Sequence, residues 1–326
     1  MNTVQKPTVT VVMPLYNKEV EVGRAVESVL RQSIPDFELI VVNDGSTDKG
    51  PEVVHSIDDP RIKIIDQKNA GVSAARNRGI LNAKTDLIAF LDADDEWKPF
   101  FFETIFYLKK TFPTCKIFAT NYVYREVNWI QRLPIIRGMP SHPWAGVLSD
   151  YFEIASKSDP PLCSSSVAIS KESLESVGMF PVGVNSGEDL LTWAKLALKY
   201  KIAYTTKVCA VFYVPTSVFD RPGRFNDTSD VVGWNLINLF SEATSSESKN
   251  LRKYITLWYK NRTVTFLNFG ENRKALEELQ LMARFSKKTG KWYLYAFLAN
   301  LPRGITRFLT KMLRKITRLR RDEMQV

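Results

Sequence analysis

LIAFLDADDEW, residues 87–97, sets the apolar run Leu87–Leu91 directly against three aspartates, Asp92, Asp94 and Asp95. The apolar run reads as a buried strand. Two unit charges about 4 Å apart repel by roughly 4 kcal/mol at an effective dielectric near 20. Carboxylates crowded at a strand end therefore need a bound cation, a basic neighbour or open water. On an extended chain alternate side chains share a face, which would put Asp92 and Asp94 together. Such a pair suits a hard divalent cation, Mg²⁺ or Mn²⁺, bound through few protein oxygens and substrate phosphates. The plainer alternative is a solvated acidic turn ahead of the next helix.

The flanking sequence alternates strand and helix signals. TVTVVMP (8–14) is β-branched, and Val22, Ala25, Val26 and Val29 follow at helical spacing, closing near Pro35. FELIVVNDGS (37–46) and RIKIIDQ (61–67) are strands, VSAARNRGILNA (72–83) is a helix after Gly71, and PFFFETIFYLKK (99–110) is another helix. This order predicts an α/β fold, a mostly parallel, Rossmann-like sheet flanked by helices. Ligands bind such sheets at the carboxyl ends of the strands. Those ends carry Tyr16 and Asn17, Asn43 and Asp44, Asp66, then Asp92 and Asp94, so four strand ends should converge on one edge.

Five prolines, at 134, 140, 143, 160 and 161, punctuate a loop-rich stretch from 126 to 160. SSSVAIS (164–170) reads as a short strand, and KESLESVG (171–178) as a helix ending at Gly178. GEDLLTWAKLALKY (187–200) is an amphipathic helix with Glu188 and Asp189 in its first turn, and AYTTKVCAVFYV (203–214) is a long strand. Past about 230 the pattern is helical, with SEATSSESKN (241–250) as a polar linker. The expected divisions are residues 1–125, 126–230 and 231–326, the last a helical C-terminal extension.

The 326 residues carry a formal charge of +10, 44% hydrophobic and 25% charged residues, a globular composition. Three widely spaced cysteines, Cys115, Cys163 and Cys209, form no C-x-x-C pair and suggest reduced thiols in a cytoplasmic setting. Two histidines, His55 and His142, leave little room for a His-rich zinc site or a Ser-His-Asp triad. MNTVQKPTVTVVMPLYN has no signal-peptide pattern, and no apolar run reaches the length of a membrane span. From Leu301 to Val326 there are eight Lys and Arg against two acids, so the basic character lies mainly in the tail.

NDGSTD (43–48) places Asp44 in a turn after a strand, where Asn, Asp, Gly and Ser also favour simple self-capping. NAGVSAARNRG (69–79) places Arg76 on a helix, suited to a diphosphate, a base edge or an ordinary salt bridge. Taken together, VVMPLYNKE, ESVLRQS, ELIVVNDGSTD, NAGVSAARNRGI and IAFLDADDEW resemble the family 2 glycosyltransferases, which have the GT-A nucleotide-diphospho-sugar-binding fold. The resemblance runs nearly continuously over roughly residues 8–110. A weaker likeness continues through SSVAISKESLESVGMF and GEDLLTW.

The resemblance implies a divalent-metal-dependent, inverting transfer of a sugar from a nucleotide-diphosphate donor, UDP-sugar favoured, to a saccharide or lipid-linked saccharide in cell-surface glycan synthesis. It implies that Pro14, Tyr16 and Asp44 hold the base and ribose, with Asn17, Glu19 and Ala93 beside them, and that Arg76 contacts the nucleotide. It further implies that Asp92 touches ribose or metal, that Asp94 ligates Mn²⁺ or Mg²⁺, and that Asp189 is the general base. Two departures stand out. A Q-x-x-R-W motif is missing, which argues against a processive synthase, and FYVPTSVFDRPGR keeps Tyr213 but leaves the late diphosphate contact to Arg221 or Arg224. A sugar-nucleotide nucleotidyltransferase would open with a Gly-rich phosphate loop, which VVMPLYNKE lacks. A non-catalytic membrane adaptor on the same fold would not need Asp44, Asp92, Asp94 and Asp189 intact.

In ITRFLTKMLRKITRLRR (305–321), Ile305, Phe308, Leu309, Met312, Leu313, Ile316 and Leu319 fall at helical spacing opposite Arg307, Lys311, Arg314, Lys315 and Arg318. A basic amphipathic helix of this kind suits an anionic membrane surface rather than nucleic acid, implying a peripheral protein on the cytoplasmic face. The alternative is that its apolar side packs on the rest of the chain.

Overall fold

In the computed structural model, which describes residues 7–126, 130–214 and 230–323, the β-branched run near the N-terminus is β1 (Val9–Leu15), buried at every position but Pro14. Helix α1 (Val22–Leu30) buries Val22, Ala25, Val26 and Val29, the stripe its spacing predicts. Then follow β2 (Phe37–Asn43), buried throughout, α2 (Gly50–His55), β3 (Ile62–Asp66) and α3 (Val72–Asn82). Helix α3 lies close on β1: a Cβ added at Gly79 would meet Val12 Cγ1 at 2.3 Å. Next come β4 (Leu87–Phe90), β5 (Glu96–Trp97), α4 (Phe101–Thr111) and β6 (Ile117–Arg125). The remaining elements of this unit are β7 (Gln131–Arg132), β8 (Ala145–Val147), α5 (Tyr151–Lys157), β9 (Val167–Ser170), α6 (Lys171–Ser176), α7 (Glu188–Lys199) and β10 (Ile202–Tyr213).

These strands form one sheet in the order β3-β2-β1-β4-β9-β6-β10-β5, with β7 beside β6 and β8 beside β10. The pairs β3–β2, β2–β1, β1–β4 and β6–β10 are parallel, whereas β9 runs antiparallel to both β4 and β6. The order reverses between β1 and β4. Crossovers leave these two strands in opposite directions, which opens a crevice at their carboxyl ends.

Several segments differ from expectation. Of SSSVAIS, only Val167–Ser170 is strand; Ser164–Ser166 forms a single 3₁₀ turn. Strand β6, whose apolar pattern Thr120 and Asn121 interrupt, lies inside the sheet between β9 and β10. The polar run at 241–250 is no linker from Ser245 onward, where the backbone is already helical. The turn at 92–95, closed by Asp95 N–H donating to the Asp92 carbonyl at 2.9 Å, replaces the extended conformation expected there.

The chain divides into two units, residues 1–232 and 233–326. The division falls within α8 (Val231–Glu242). The second unit continues with α9 (Ser245–Phe269), α10 (Asn272–Phe285), α11 (Gly290–Ala299) and α12 (Arg303–Glu323). Phe266, Leu267, Ala275, Leu298 and Ala299 form its buried cluster. Arg262 on α9 pairs with Glu278 on α10 at 2.8 Å. Among the described residues no helix is long and apolar enough to cross a membrane.

Candidate functional site

The crevice at the β1 and β4 ends opens into a cavity of about 700 Å³, within the range typical of small-molecule sites. From the end of β1 it is lined by Pro14, Tyr16, Asn17 and Lys18, and from the end of β2 by Asp44. Asn17 adopts φ 51°, a left-handed conformation that Asn tolerates better than most residues. Its side-chain oxygen accepts from Thr47 N–H at 2.8 Å, fastening the loop after β1 to the loop after β2. Glu19 is not among the lining residues. Its carboxylate accepts from Lys49 N–H at 2.9 Å on the loop after β2, which draws it aside.

Asp44 is buried and its carboxylate accepts three hydrogen bonds: from Gln67 Nε2 at 2.7 Å and from the N–H groups of Ala70 and Gly71 at 2.8 Å each. It therefore fixes the loop that starts α3. Gly45 makes that approach possible. It has φ +71°, and a Cβ there would stand 2.8 Å from the Asn69 backbone nitrogen.

The three aspartates divide into two roles. Asp92 and Asp94 line the cavity with Ala93. Asp92 pairs with Arg76 at 2.7 Å, and Asp94 with Lys18 at 2.8 Å. Asp95 turns inward, where it accepts from the Ser165 hydroxyl and from Tyr213 N–H. Burial pushes the Asp95 carboxyl well above its ordinary range, and the nearby charges of Asp94 and Asp92 add to that. Ser165 also accepts from Asp92 N–H at 3.2 Å, and its carbonyl accepts from Trp97 Nε1 at 2.7 Å. The 3₁₀ turn thus holds the aspartate loop from behind, which is why it is not a strand.

Arg76, on α3, is almost fully buried and bridges two acids, Asp92 at 2.7 Å and Glu188 at 3.2 Å. Burial opposes its charge, but the Asp92 and Glu188 carboxylates outweigh that and hold its pKa above the ordinary value. The guanidinium also lies 5.1 Å from the Phe180 ring centroid. Asn77 beside it clamps Phe180 both ways, through Nδ2 to the Phe180 carbonyl at 2.8 Å and Phe180 N–H to Oδ1 at 2.9 Å. These contacts bring the start of α7 to the cavity. Gly187, with φ 82°, precedes the helix, and Glu188 and Asp189 in its first turn both line the space. Asp189 Oδ1 accepts from Leu190 N–H at 2.8 Å.

Sequence reasoning missed Lys18, Glu188, Cys163, Ser164 and Asn185 on the lining, all contributed by loops or by pairings distant in sequence. Burial raises the Cys163 thiol well above its ordinary value, so it is a poor nucleophile. Tyr213 borders the aspartate loop, with its hydroxyl donating to Glu96 at 2.9 Å and the Arg24 guanidinium 3.7 Å over its ring. Arg221 and Arg224 lie outside the described residues. Asp92 and Asp94 both line the cavity, and among the described residues no group of three His, Cys, Asp or Glu is gathered for a metal.

Comparison with known proteins extends these observations. A family profile described as Glycosyl transferase family 2 matches residues 10–175. An uncharacterized glycosyltransferase of Rickettsia felis is 28% identical over 290 residues, covering 83% of this chain and 45% of that protein. The chain spans less than half the length of the curated relatives it matches. Among solved structures, Staphylococcus aureus TarS 1–349 aligns with a TM-score of 0.64 at 17% identity, covering 94% of this chain and 91% of TarS 1–349. The same TarS fragment crystallised with UDP-GlcNAc aligns with a TM-score of 0.62 at 16% identity, covering 94% and 92%. This likeness shows a shared fold, a GT-A sheet flanked by helices with a helical C-terminal region.

Proposed function

Because the chain belongs to glycosyl transferase family 2, we propose that it transfers a sugar from a nucleoside diphosphate donor, UDP-sugar favoured, to a saccharide or lipid-linked saccharide hydroxyl, with inversion. The observation that carries this is the convergence of Asp44, Asp92, Asp94 and Asp189 on one cavity at the strand-order reversal. The TarS fragment with UDP-GlcNAc bound supports a uridine nucleotide.

Asp44 lies with Pro14 and Tyr16 at the β1–β2 side, and these residues are assigned the base and ribose. An oxygen-only donor set of Asp92 and Asp94 fits Mg²⁺ or Mn²⁺, which take few protein ligands and fill the rest with phosphate and water. Lys18 on Asp94 and Arg76 on Asp92 show that each carboxylate already attracts positive charge. A bound cation would supply Lewis-acid stabilisation of the departing diphosphate. Arg76 orients Asp92 and adds fixed positive charge beside the nucleotide. Asp189, held by Leu190 N–H, accepts the proton from the acceptor hydroxyl as it attacks the anomeric carbon. The proton moves from that hydroxyl to the carboxylate, and the glycosidic oxygen leaves with the diphosphate. Direct displacement by the acceptor hydroxyl needs no covalent sugar–enzyme intermediate.

The test is a panel of nucleotide sugars incubated with the chain in Mn²⁺ or in chelator, reading released nucleoside diphosphate. Metal-dependent cleavage of one UDP-sugar is the expected result. Absence of cleavage from every donor, or cleavage indifferent to metal, contradicts the proposal.

A further inference from the structure

Between Glu278 and Asp322 the sequence contains twelve Lys and Arg and no acid. This stretch includes α11 and α12, and the structure fixes which way α12 faces. Its buried side carries two threonines, Thr306 and Thr310, with Leu309 partly buried beside them against the cluster around Leu267 and Leu298. The Thr306 hydroxyl donates to the Leu298 carbonyl at 2.8 Å, at the end of α11. Asn272 Nδ2 donates to the Leu301 carbonyl at 2.7 Å, which pins the corner between the two helices. These polar latches turn the apolar stripe outward: Ile305, Phe308 and Met312 are 49%, 67% and 52% exposed. On α11, Tyr293 and Phe297 are 59% and 61% exposed. Within this unit, Leu309 of the stripe packs on the buried cluster, whereas Ile305, Phe308 and Met312 stay exposed. Arg303, Arg307 and Lys311, spaced one turn apart, form an exposed row beside the stripe, and Lys288 and Lys291 are exposed near the start of α11.

Isolated exposed hydrophobics need no explanation, but Ile305, Phe308 and Met312 recur at helical spacing on one exposed side of α12, with Tyr293 and Phe297 exposed one turn apart on α11. Its occupant must tolerate aliphatic side chains and offer negative charge around them. A protein partner would meet both demands only with a matching acidic rim. Nucleic acid offers charge but no hydrocarbon for Ile305 and Met312. An anionic bilayer offers hydrocarbon just below a negatively charged surface, and basic residues at its edge add to binding. We propose that α11 and α12 form an interfacial anchor, lying in the headgroup layer of an anionic membrane with Phe297, Ile305, Phe308 and Met312 inserted. The inference stands apart from the sugar-transfer proposal, since it uses no residue of the cavity.

The test is sedimentation of the full chain with vesicles of phosphatidylcholine alone or mixed with phosphatidylglycerol. The chain should sediment with the anionic vesicles and stay largely in solution with the neutral ones. The triple variant Ile305→Ser, Phe308→Ser, Met312→Ser keeps every charge and should bind anionic vesicles at least about tenfold more weakly. Far-ultraviolet circular dichroism and thermal unfolding of that variant check that it remains folded. In a separate variant, Phe308→Trp, tryptophan emission should shift to shorter wavelength on anionic vesicles and not on soluble heparin. Undiminished sedimentation of the triple variant, or emission unmoved by vesicles, overturns the anchor. So does a concentration-dependent self-association of the chain that Phe308→Ser abolishes, because the face would then belong to a second copy.

Discussion

Arg76 and Glu188 stand 112 positions apart in sequence and 3.2 Å apart in space. The same guanidinium reaches Asp92 at 2.7 Å, so one buried cation joins the aspartate loop after β4 to the first turn of α7. The consequence is positional. Asp94 and Asp189 sit next to the two acids that Arg76 holds, and their separation across the cavity is set by that link.

Removing the cation should be costly. Arg76→Met leaves the buried Glu188 carboxylate and the half-buried Asp92 without it, and breaking a buried pair costs about 3–5 kcal/mol. Urea denaturation should show a lower midpoint with an unchanged slope. Arg76→Lys should recover only part of the loss, since an ammonium cannot reach two carboxylates as a guanidinium fork does.

Asp189→Asn should abolish sugar transfer while leaving UDP affinity nearly unchanged. Calorimetric titration of UDP beside a transfer assay separates the two. Equal loss of both would remove Asp189 from the role of base.

Asp95 predicts a pH dependence of stability. Its folded-state carboxyl is raised above the ordinary 3.8 by burial and by Asp94 and Asp92. The unfolded chain releases that proton first as the pH rises. Its contribution to stability is therefore full below about pH 4 and is lost as pH climbs toward the raised native value. Asp95→Asn should flatten that part of the stability-against-pH curve, measured by denaturation at a series of pH values. A curve unchanged in shape would contradict the assignment.

Gly45→Ala tests the loop geometry. A left-handed φ of +71° and a Cβ at 2.8 Å from Asn69 N act together. The expected cost is about 1–3 kcal/mol, with weaker UDP binding because Asp44 loses its fixed contacts to residues 70 and 71. Thermal unfolding and UDP titration report the two effects separately.

Much of this architecture was legible in the sequence because it is written in local periods. The β-branched runs of β1 and β2 and the stripe of α1 each carry their own signal. The convergence of Asp44, Asp92 and Asp94 follows from the alternation of strands and helices, which puts parallel strand ends on one edge. What stayed hidden was pairing at a distance. Nothing local announces that Ser165, 70 residues beyond Asp95, will hold that third carboxylate inside. Nor does the string GED reveal that, of two acids lining the cavity, Glu188 is the one that pairs with Arg76. Glu19 stands beside the motif residues in sequence, yet the loop after β2 captures its side chain. The pair Asp92 and Asp94 reaches one cavity through a turn, where alternation along a strand had been the expected route.

Titration of UDP into the chain, with Mn²⁺ and with chelator, against the variant Asp94→Asn, tests the cavity assignment most directly. UDP should bind the unaltered chain in Mn²⁺, bind it at least about tenfold more weakly in chelator, and show no such metal dependence in the variant. Equal binding by both proteins, with the same response to Mn²⁺, would place the diphosphate somewhere other than the end of β4.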